Sequence, residues 1–362
     1  MSEYQVPLQA IKGRGAATRL AHRFVREERA AFDDGWSDAL PGGGEALPAQ
    51  TTQVVFETAR SALTSVDSPD IFFEHSINPY RGCEHGCIYC YARPTHSYLN
   101  LSPGLDFETH IVAKHNLAQV LRAELQRPGH VPRQLNIGSA TDCYQPVERE
   151  LRLTRALIEV LGTARHPFTL ITKGSGVERD LDWLAPLARD RLTAVYVTIT
   201  TLDPGLARIL EPRAAAPHRR LRTIRTLVEA GVPVGVSVAP QIPFITEDME
   251  QVLEAARDAG ARSAFYTVLR LPWEVRDLFV QWLQTHYPQR ADRVMARVQE
   301  MRGGQDYDAR FGARMHGEGV WADLLRQRFR LACQRLGLNR QRVALDLGQF
   351  EPGALRGQAS LF

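Results

Sequence analysis

From about residue 71 the chain alternates short, β-rich apolar runs with stretches whose apolar positions recur every three or four residues. The runs Ile71–Ile77, Gln134–Gly138, Phe168–Thr172, Ala194–Thr200, Val232–Ala239 and Ser263–Thr267 have the length and composition of strands. Between them lie Leu117–Leu125, Leu151–Leu161, Leu181–Ala188, Leu221–Ala230 and Met249–Ala259, all with helical periodicity. This alternation predicts parallel strands joined by right-handed crossovers. Six such units predict an α/β fold, a partial (β/α)6 TIM-like barrel rather than a full eight-stranded one, with functional groups at the C-terminal ends of the strands. Beyond about residue 275 the pattern turns helical, broken at Gly303-Gly304 and clearest over Trp321–Leu336. Before about residue 50, Lys12, Arg14, Arg19, Arg23, Arg26 and Arg29 mix with the segment Pro41-Gly42-Gly43-Gly44, which predicts a disordered arm. The expected organisation is a flexible basic N-terminal arm over 1–50, a barrel over 51–275 and a helical C-terminal extension over 276–362.

Composition narrows the classes. Of 362 residues, 44% are apolar and 23% charged, enough apolar material for a sizeable core in a soluble globular protein. Runs such as Ala194–Ile199 are strand-sized and fall short of the roughly 18 apolar residues of a membrane span, and the N-terminus lacks the apolar stretch of a secretory leader. Five cysteines are present, three of them within eight residues. An odd, bunched set argues against a disulfide framework and for reduced, metal-binding thiols, hence a cytoplasmic protein. A net charge of +3 does not by itself announce a nucleic-acid partner. Lysine occurs only at positions 12, 114 and 173, the other basic residues being arginine, so arginine clusters carry reduced weight.

The chemistry concentrates in Asn78-Pro-Tyr-Arg-Gly-Cys-Glu-His-Gly-Cys-Ile-Tyr-Cys-Tyr-Ala, directly after the first predicted barrel strand. Cys83, Cys87 and Cys90 form a C-x3-C-x2-C loop, and Gly82 and Gly86 permit the positive φ values of a tight wrap. Three thiolates can hold three irons of a [4Fe-4S] cubane and leave the fourth open. The alternative is a structural zinc site closed by His85, Cys143 or Cys333. Such sites usually combine two separated ligand pairs, and no second pair is present.

C-x3-C-x2-C with an aromatic residue, Tyr89, before the last cysteine resembles the signature of the radical S-adenosylmethionine (SAM) superfamily. The wider string from Asn78 to Arg93 resembles the branch related to spore photoproduct lyase, and the resemblance spans roughly residues 70–340. It implies that the amino nitrogen and carboxylate of SAM bind the open iron, and that one electron cleaves SAM to a 5′-deoxyadenosyl radical that abstracts hydrogen from a substrate. It also implies an external low-potential electron donor, a flavodoxin or ferredoxin. Ser139, Thr141 and Asp142 in Gly138-Ser-Ala-Thr-Asp resemble the stretch contacting the methionine and ribose portions, and Lys173 resembles the branch's carboxylate-binding lysine. Thr198 and Thr200, alternating with Val197 and Ile199, resemble cofactor-bonding polar residues; barrel filler is the alternative. Arg213 is a further candidate for a carboxylate contact or, equally, a structural ion pair. Tyr89 and Val236 are expected near adenine, or else in the core.

Substrate is less legible. In spore photoproduct lyase a cysteine donates hydrogen near the end of the second strand, about where this chain has Ser139, which argues against the same repair reaction. Cys143 and Tyr144 are the candidates for a hydrogen donor or radical relay, with an inert buried thiol as the alternative for Cys143, while Cys333 reads as core. Six arginines in Arg208–Arg225 and twelve in Arg290–Arg342 keep nucleic acid open as a substrate. Two classes therefore stand: a radical SAM enzyme, and a non-catalytic Fe-S or zinc protein serving electron transfer or interaction.

Overall fold

The computed structural model describes residues 9–25, 51–341 and 343–356. Its strands are β1 (Gln53–Glu57), β2 (Thr64–Ser65), β3 (His75–Ile77), β4 (Tyr80–Arg81), β5 (His110–Lys114), β6 (Leu135–Ile137), β7 (Phe168–Thr172), β8 (Thr193–Thr198), β9 (Val234–Gln241) and β10 (Ser263–Val268). Its α-helices are α1 (Leu105–Thr109), α2 (Leu117–Leu125), α3 (Glu148–Leu151), α4 (Leu153–Thr163), α5 (Leu181–Arg189), α6 (Pro204–Leu210), α7 (Pro217–Glu229), α8 (Met249–Asp258), α9 (Glu274–His286), α10 (Ala291–Glu300), α11 (Ala313–His316) and α12 (Val320–Leu336). The order β10-β9-β8-β7-β6-β3 is parallel throughout, and β2 pairs antiparallel with β3 at one edge. This is the expected partial (β/α)6 barrel.

Local sequence accounts for the elements. In α8, Met249, Val252, Leu253 and Ala256 recur at helical spacing and are buried against the sheet. Met249, Val252 and Leu253 each contribute roughly 1.5–3 kcal/mol of transfer free energy on burial. Asp203 accepts from the Gly205 and Leu206 amides while Pro204 sits at the first position of α6. Gly337 closes α12 at φ +70°.

Some features depart from the sequence expectation. Only His75–Ile77 of the expected first strand pairs, because Phe72 turns inward to pack on Tyr196 and Phe265, at centroid distances of 5.1 and 6.3 Å. A second sheet, β1-β5-β4, escaped the pattern altogether. Part of the expected N-terminal arm, residues 9–25, lies against the body. There Glu108 accepts from the Gly15 and Ala16 amides at 3.0 and 2.9 Å, and Arg23 pairs with Glu274 at 2.9 Å. The rest of the arm, residues 1–8 and 26–50, lies outside the described residues.

Candidate active site

The cysteine loop runs from β4 along the C-terminal rim of the barrel. Its backbone bends at Gly82 and Gly86, with φ +79° and +66°, as a tight wrap requires. The polar backbone of the loop is held at many points. Arg93, completely buried, donates to the Cys87 carbonyl (2.9 Å), the Gly86 carbonyl (3.0 Å), Pro103, Gly104 and the Glu108 carboxylate. Gln145 donates to the Gly82 carbonyl and accepts from the Glu84 amide. Glu84 in turn meets Arg213 at 3.1 Å and the Val147 amide at 2.6 Å. So many satisfied buried groups fix the loop in one conformation.

A cavity of about 1170 Å³ opens on this loop. Cys83, Cys87 and Cys90 all line it, together with Tyr89, Tyr91, Ser139, Thr141, Asp142, Lys173 and Thr198. Register explains the grouping. Thr172 pairs with Val197 and Thr198 with Ser237, so Lys173, Thr198 and Ser237 form one row across β7, β8 and β9. The volume exceeds the roughly 300–1,000 Å³ of an ordinary small-molecule site.

Asp142 links the loop to the strand ends. Its Oδ1 accepts from Thr172 (2.7 Å) and the Tyr144 amide (2.9 Å), and its Oδ2 accepts from the Lys173 amide at 2.6 Å. His85 Nδ1 lies 3.2 Å from the same Oδ2 in a poorly aligned ionic contact. Burial pushes this carboxyl up, but His85 and the hydrogen bonds outweigh it and hold it well below the usual carboxylate range. With both oxygens engaged, Asp142 braces the loop against β7.

Lys173 is the unspent charge. Its Nζ lies 5.8 Å from the Tyr89 ring centre, with no hydrogen bond or ion pair among the described residues. Burial works against its charge, yet Cys87 and the Glu211 carboxylate prevail and hold the ammonium above its ordinary range. Glu211 and Arg220, both fully buried, pair beneath it, and Glu211 also accepts from Tyr89 and from Thr200 at 2.6 Å.

Several expected site residues are placed elsewhere. Thr200 lies off the cavity wall within the Tyr89–Glu211 network. Arg213 lies off the cavity wall, its guanidinium bound to Glu84 and Thr52. Val236 lies among the core side chains behind the sheet, since the two-residue period of β9 gives the cavity to Ser237 and Ala239. The Cys143 thiol is buried 3.9 and 3.8 Å from the Ile137 and Ile171 carbonyls, outside the cavity, and burial raises its pKa well above the ordinary thiol value. Tyr144 also turns away, donating to Asp180 at 2.9 Å. Cys333 is core, as expected. Sequence reasoning missed Gln145, whose partner Gly82 lies 63 positions away, and also Arg220 and the Arg93–Glu108 pair, whose partners lie nearby but carry no periodic signal; the only advance signal was Arg93 at the end of the cysteine string.

Three free thiols sit on the loop after the first strand of a parallel half-barrel. Residues 77–260 match the Radical SAM superfamily, and the chain belongs to it. An uncharacterized protein of Mycobacterium tuberculosis (strain ATCC 25618 / H37Rv) is 37% identical over 238 residues, 65% of this chain and 70% of that one. An uncharacterized protein of Methanocaldococcus jannaschii is 26% identical over 216 residues, 60% and 77% of the two chains. Among solved structures, a spore photoproduct lyase mutant superposes with a TM-score of 0.55 at 20% identity, covering 79% of this chain and 80% of that one. A second, with a dinucleoside spore photoproduct, gives 0.56 at 16% identity over the same shares. The chain is thus a radical SAM enzyme with the spore photoproduct lyase fold. No helix among the described residues is long and apolar enough to cross a membrane.

The family implies a [4Fe-4S] cluster and SAM, and the residues fit both. Three thiols share one cavity wall on glycine-bent backbone, and on the same wall stands the half-buried Lys173 ammonium, which makes no direct ion pair among the described residues. A structural zinc ion needs its donors to converge on one point, and among the described residues no three His, Cys, Asp or Glu side chains do so. Thiolates of a cubane each take a different iron and need no such convergence.

Proposed function

We propose that the chain binds a [4Fe-4S] cluster through Cys83, Cys87 and Cys90, and SAM beside it. The single observation that carries this reading is the pairing, in one cavity, of the three thiols with a Lys173 ammonium that makes no direct hydrogen bond or ion pair among the described residues. When bound, the cluster supplies the electron that cleaves SAM to methionine and a 5′-deoxyadenosyl radical. The chain's own residues bind and orient. Lys173 receives the methionine carboxylate as a charge-assisted hydrogen bond, Ser139, Thr141 and Thr198 offer polar contacts to the cofactor, and Tyr89, fixed by Glu211, presents its ring near the adenine. Asp142 and His85 hold the loop at a set distance from β7, which keeps the reacting groups aligned.

An external flavodoxin or ferredoxin delivers the electron, and reduced thiols suit the cytoplasm. Spore photoproduct itself is not the favoured substrate. Among the described residues, the cysteines on the cavity wall are those of the cluster loop, which leaves no separate thiol as hydrogen donor. A phosphate-tracking groove is also disfavoured. Within the two arginine-rich runs, Arg213, Arg219, Arg220, Arg297, Arg310, Arg314, Arg326 and Arg328 pair with carboxylates. The test is anaerobic reconstitution with iron and sulfide, followed by dithionite and SAM. The wild type yields 5′-deoxyadenosine, and Cys87→Ala loses both the cluster absorbance and the product. Absence of 5′-deoxyadenosine from a protein that holds its cluster and binds SAM refutes the enzyme reading.

A further inference from the structure

The loop after β10 brings Arg270 to the cavity that holds the cysteines. Its guanidinium lies 4.7 Å from the ring centre of Tyr91, the residue next to Cys90. An arginine offers five donors, yet among the described residues Arg270 makes only two long contacts, to Met315 Sδ at 3.7 Å and Tyr307 Oη at 3.5 Å. Its Nε is buried without a partner, and no carboxylate pairs with it among the described residues. The other arginine on the cavity wall, Arg314, is neutralised by Asp70 at 2.6 Å. The buried arginines Arg93, Arg220 and Arg302 each donate to three or more carbonyl or carboxylate oxygens. Arg270 is half-buried on the wall of an open cavity with its Nε enclosed and unpartnered, so most of its donors are left for a partner that enters there.

We propose that Arg270 anchors the substrate by an oxyanion, a phosphate or carboxylate group received bidentately at the β10 side of the cavity. This rests on the reading of the cavity as a joint cofactor and substrate site. Lys173 directly follows β7, three strand positions away, about 14 Å along the sheet at ordinary strand spacing. The two cations therefore serve different anions, the cofactor's at β7 and the substrate's at β10. A molecule held at Arg270 lies over Tyr91, beside the cluster loop and within the same cavity.

The experiment uses the reconstituted full chain saturated with SAM, titrated calorimetrically with inorganic phosphate and, separately, with glutarate. Wild type binds at least one probe. Arg270→Gln weakens that binding about tenfold or more, the equivalent of one charge-assisted contact, whereas Arg270→Lys retains part of it. Arg276→Gln serves as the control, since Arg276 is exposed and pairs with Asp277 and Asp306; it leaves probe affinity unchanged. Tighter phosphate binding identifies a phosphate-bearing substrate, tighter glutarate binding a carboxylate. Equal probe affinity in wild type and Arg270→Gln, or no binding of either probe to wild type, overturns the proposal. SAM affinity is measured in every variant. Its loss throughout would instead indict the cofactor reading, and loss in Arg270→Gln alone would reassign Arg270 to the cofactor.

Discussion

Glu211 has no route to solvent, yet it faces the Arg220 guanidinium, the Tyr89 and Thr200 hydroxyls and, through space, the Lys173 ammonium. Burial raises its pKa, but Arg220 and Lys173 outweigh this and keep it ionised. Glu211→Gln leaves two buried cations short of an anion, a change expected to cost about 3–5 kcal/mol. Urea unfolding of the apoprotein reads this directly, and a loss below about 1 kcal/mol, the scale of an exposed pair, would show that the pair is not the counterweight described. Lys173→Met is expected to spare the fold and weaken SAM binding about tenfold or more, again the scale of one charge-assisted contact; unchanged affinity by calorimetry removes Lys173 from the cofactor. Legibility at this scale follows sequence distance. The cysteine loop was readable because its spacing is local, and Thr198 on the cavity wall because alternation in β8 is local. Tyr89 and Glu211 are 122 positions apart, so only the folded chain joins them. For Val236, strand membership was legible but which residues of β9 face inward was not.

The elements were legible where apolar periodicity is strong. β7 and α2 have the bounds their patterns predict, and the parallel order follows from alternation alone. The sheet β1-β5-β4 was illegible because β1 is half exposed, β4 has two residues, and β5 sits beside a helix of five. The docked stretch 9–25 was illegible for another reason: it docks through scattered contacts, Ala16 with Ile11 and Leu20 in a core cluster and ion pairs of Arg19 and Arg23, which make no helical or strand period in the sequence. This docking gives a test. A Cβ at Gly15 meets the Gly86 carbonyl oxygen at 1.9 Å, and backbone cannot yield as a side-chain end can. Gly15→Val is therefore expected to release residues 9–25 and to loosen the cysteine loop that Arg93 and Glu108 share with it. Hydrogen exchange of the Ala16 amide and iron content after reconstitution report the two effects. Gly353→Ala, in open space, changes neither; protection of Ala16 that survives Gly15→Val removes the packing argument.

At the scale of the molecule, several histidines are fully or partly buried, His96 and His166 completely. Desolvation leads in lowering the pKa of His75, His96, His130, His166, His286 and His316, bringing His96 and His166 to about 4. His166 is wholly enclosed among His130 and Phe350, with its Nδ1 on the Pro167 carbonyl and its Nε2 unpartnered; His130 and His75 add positive charge against its protonation. The unfolded chain takes up a proton on such a histidine near pH 6.5, while the folded chain refuses it until about pH 4. The unfolded state binds more protons in that window, so stability is full above about pH 6.5 and falls as pH drops toward 4. For His166 the fall amounts to about 3 kcal/mol, from 1.36 kcal/mol per pKa unit. Below that window the salt-bridged carboxylates Glu57, Glu178 and Glu250, whose pKa values are lowered, add to the loss as they protonate. Urea midpoints measured from pH 8 to pH 4 are expected to decline chiefly between 6.5 and 4. His166→Gln, which removes one titrating group, should flatten that slope whatever it does to the midpoint at pH 8. A midpoint that holds level from pH 6.5 to 4.5 in the wild type would mean that these histidines reach solvent and protonate in the folded chain.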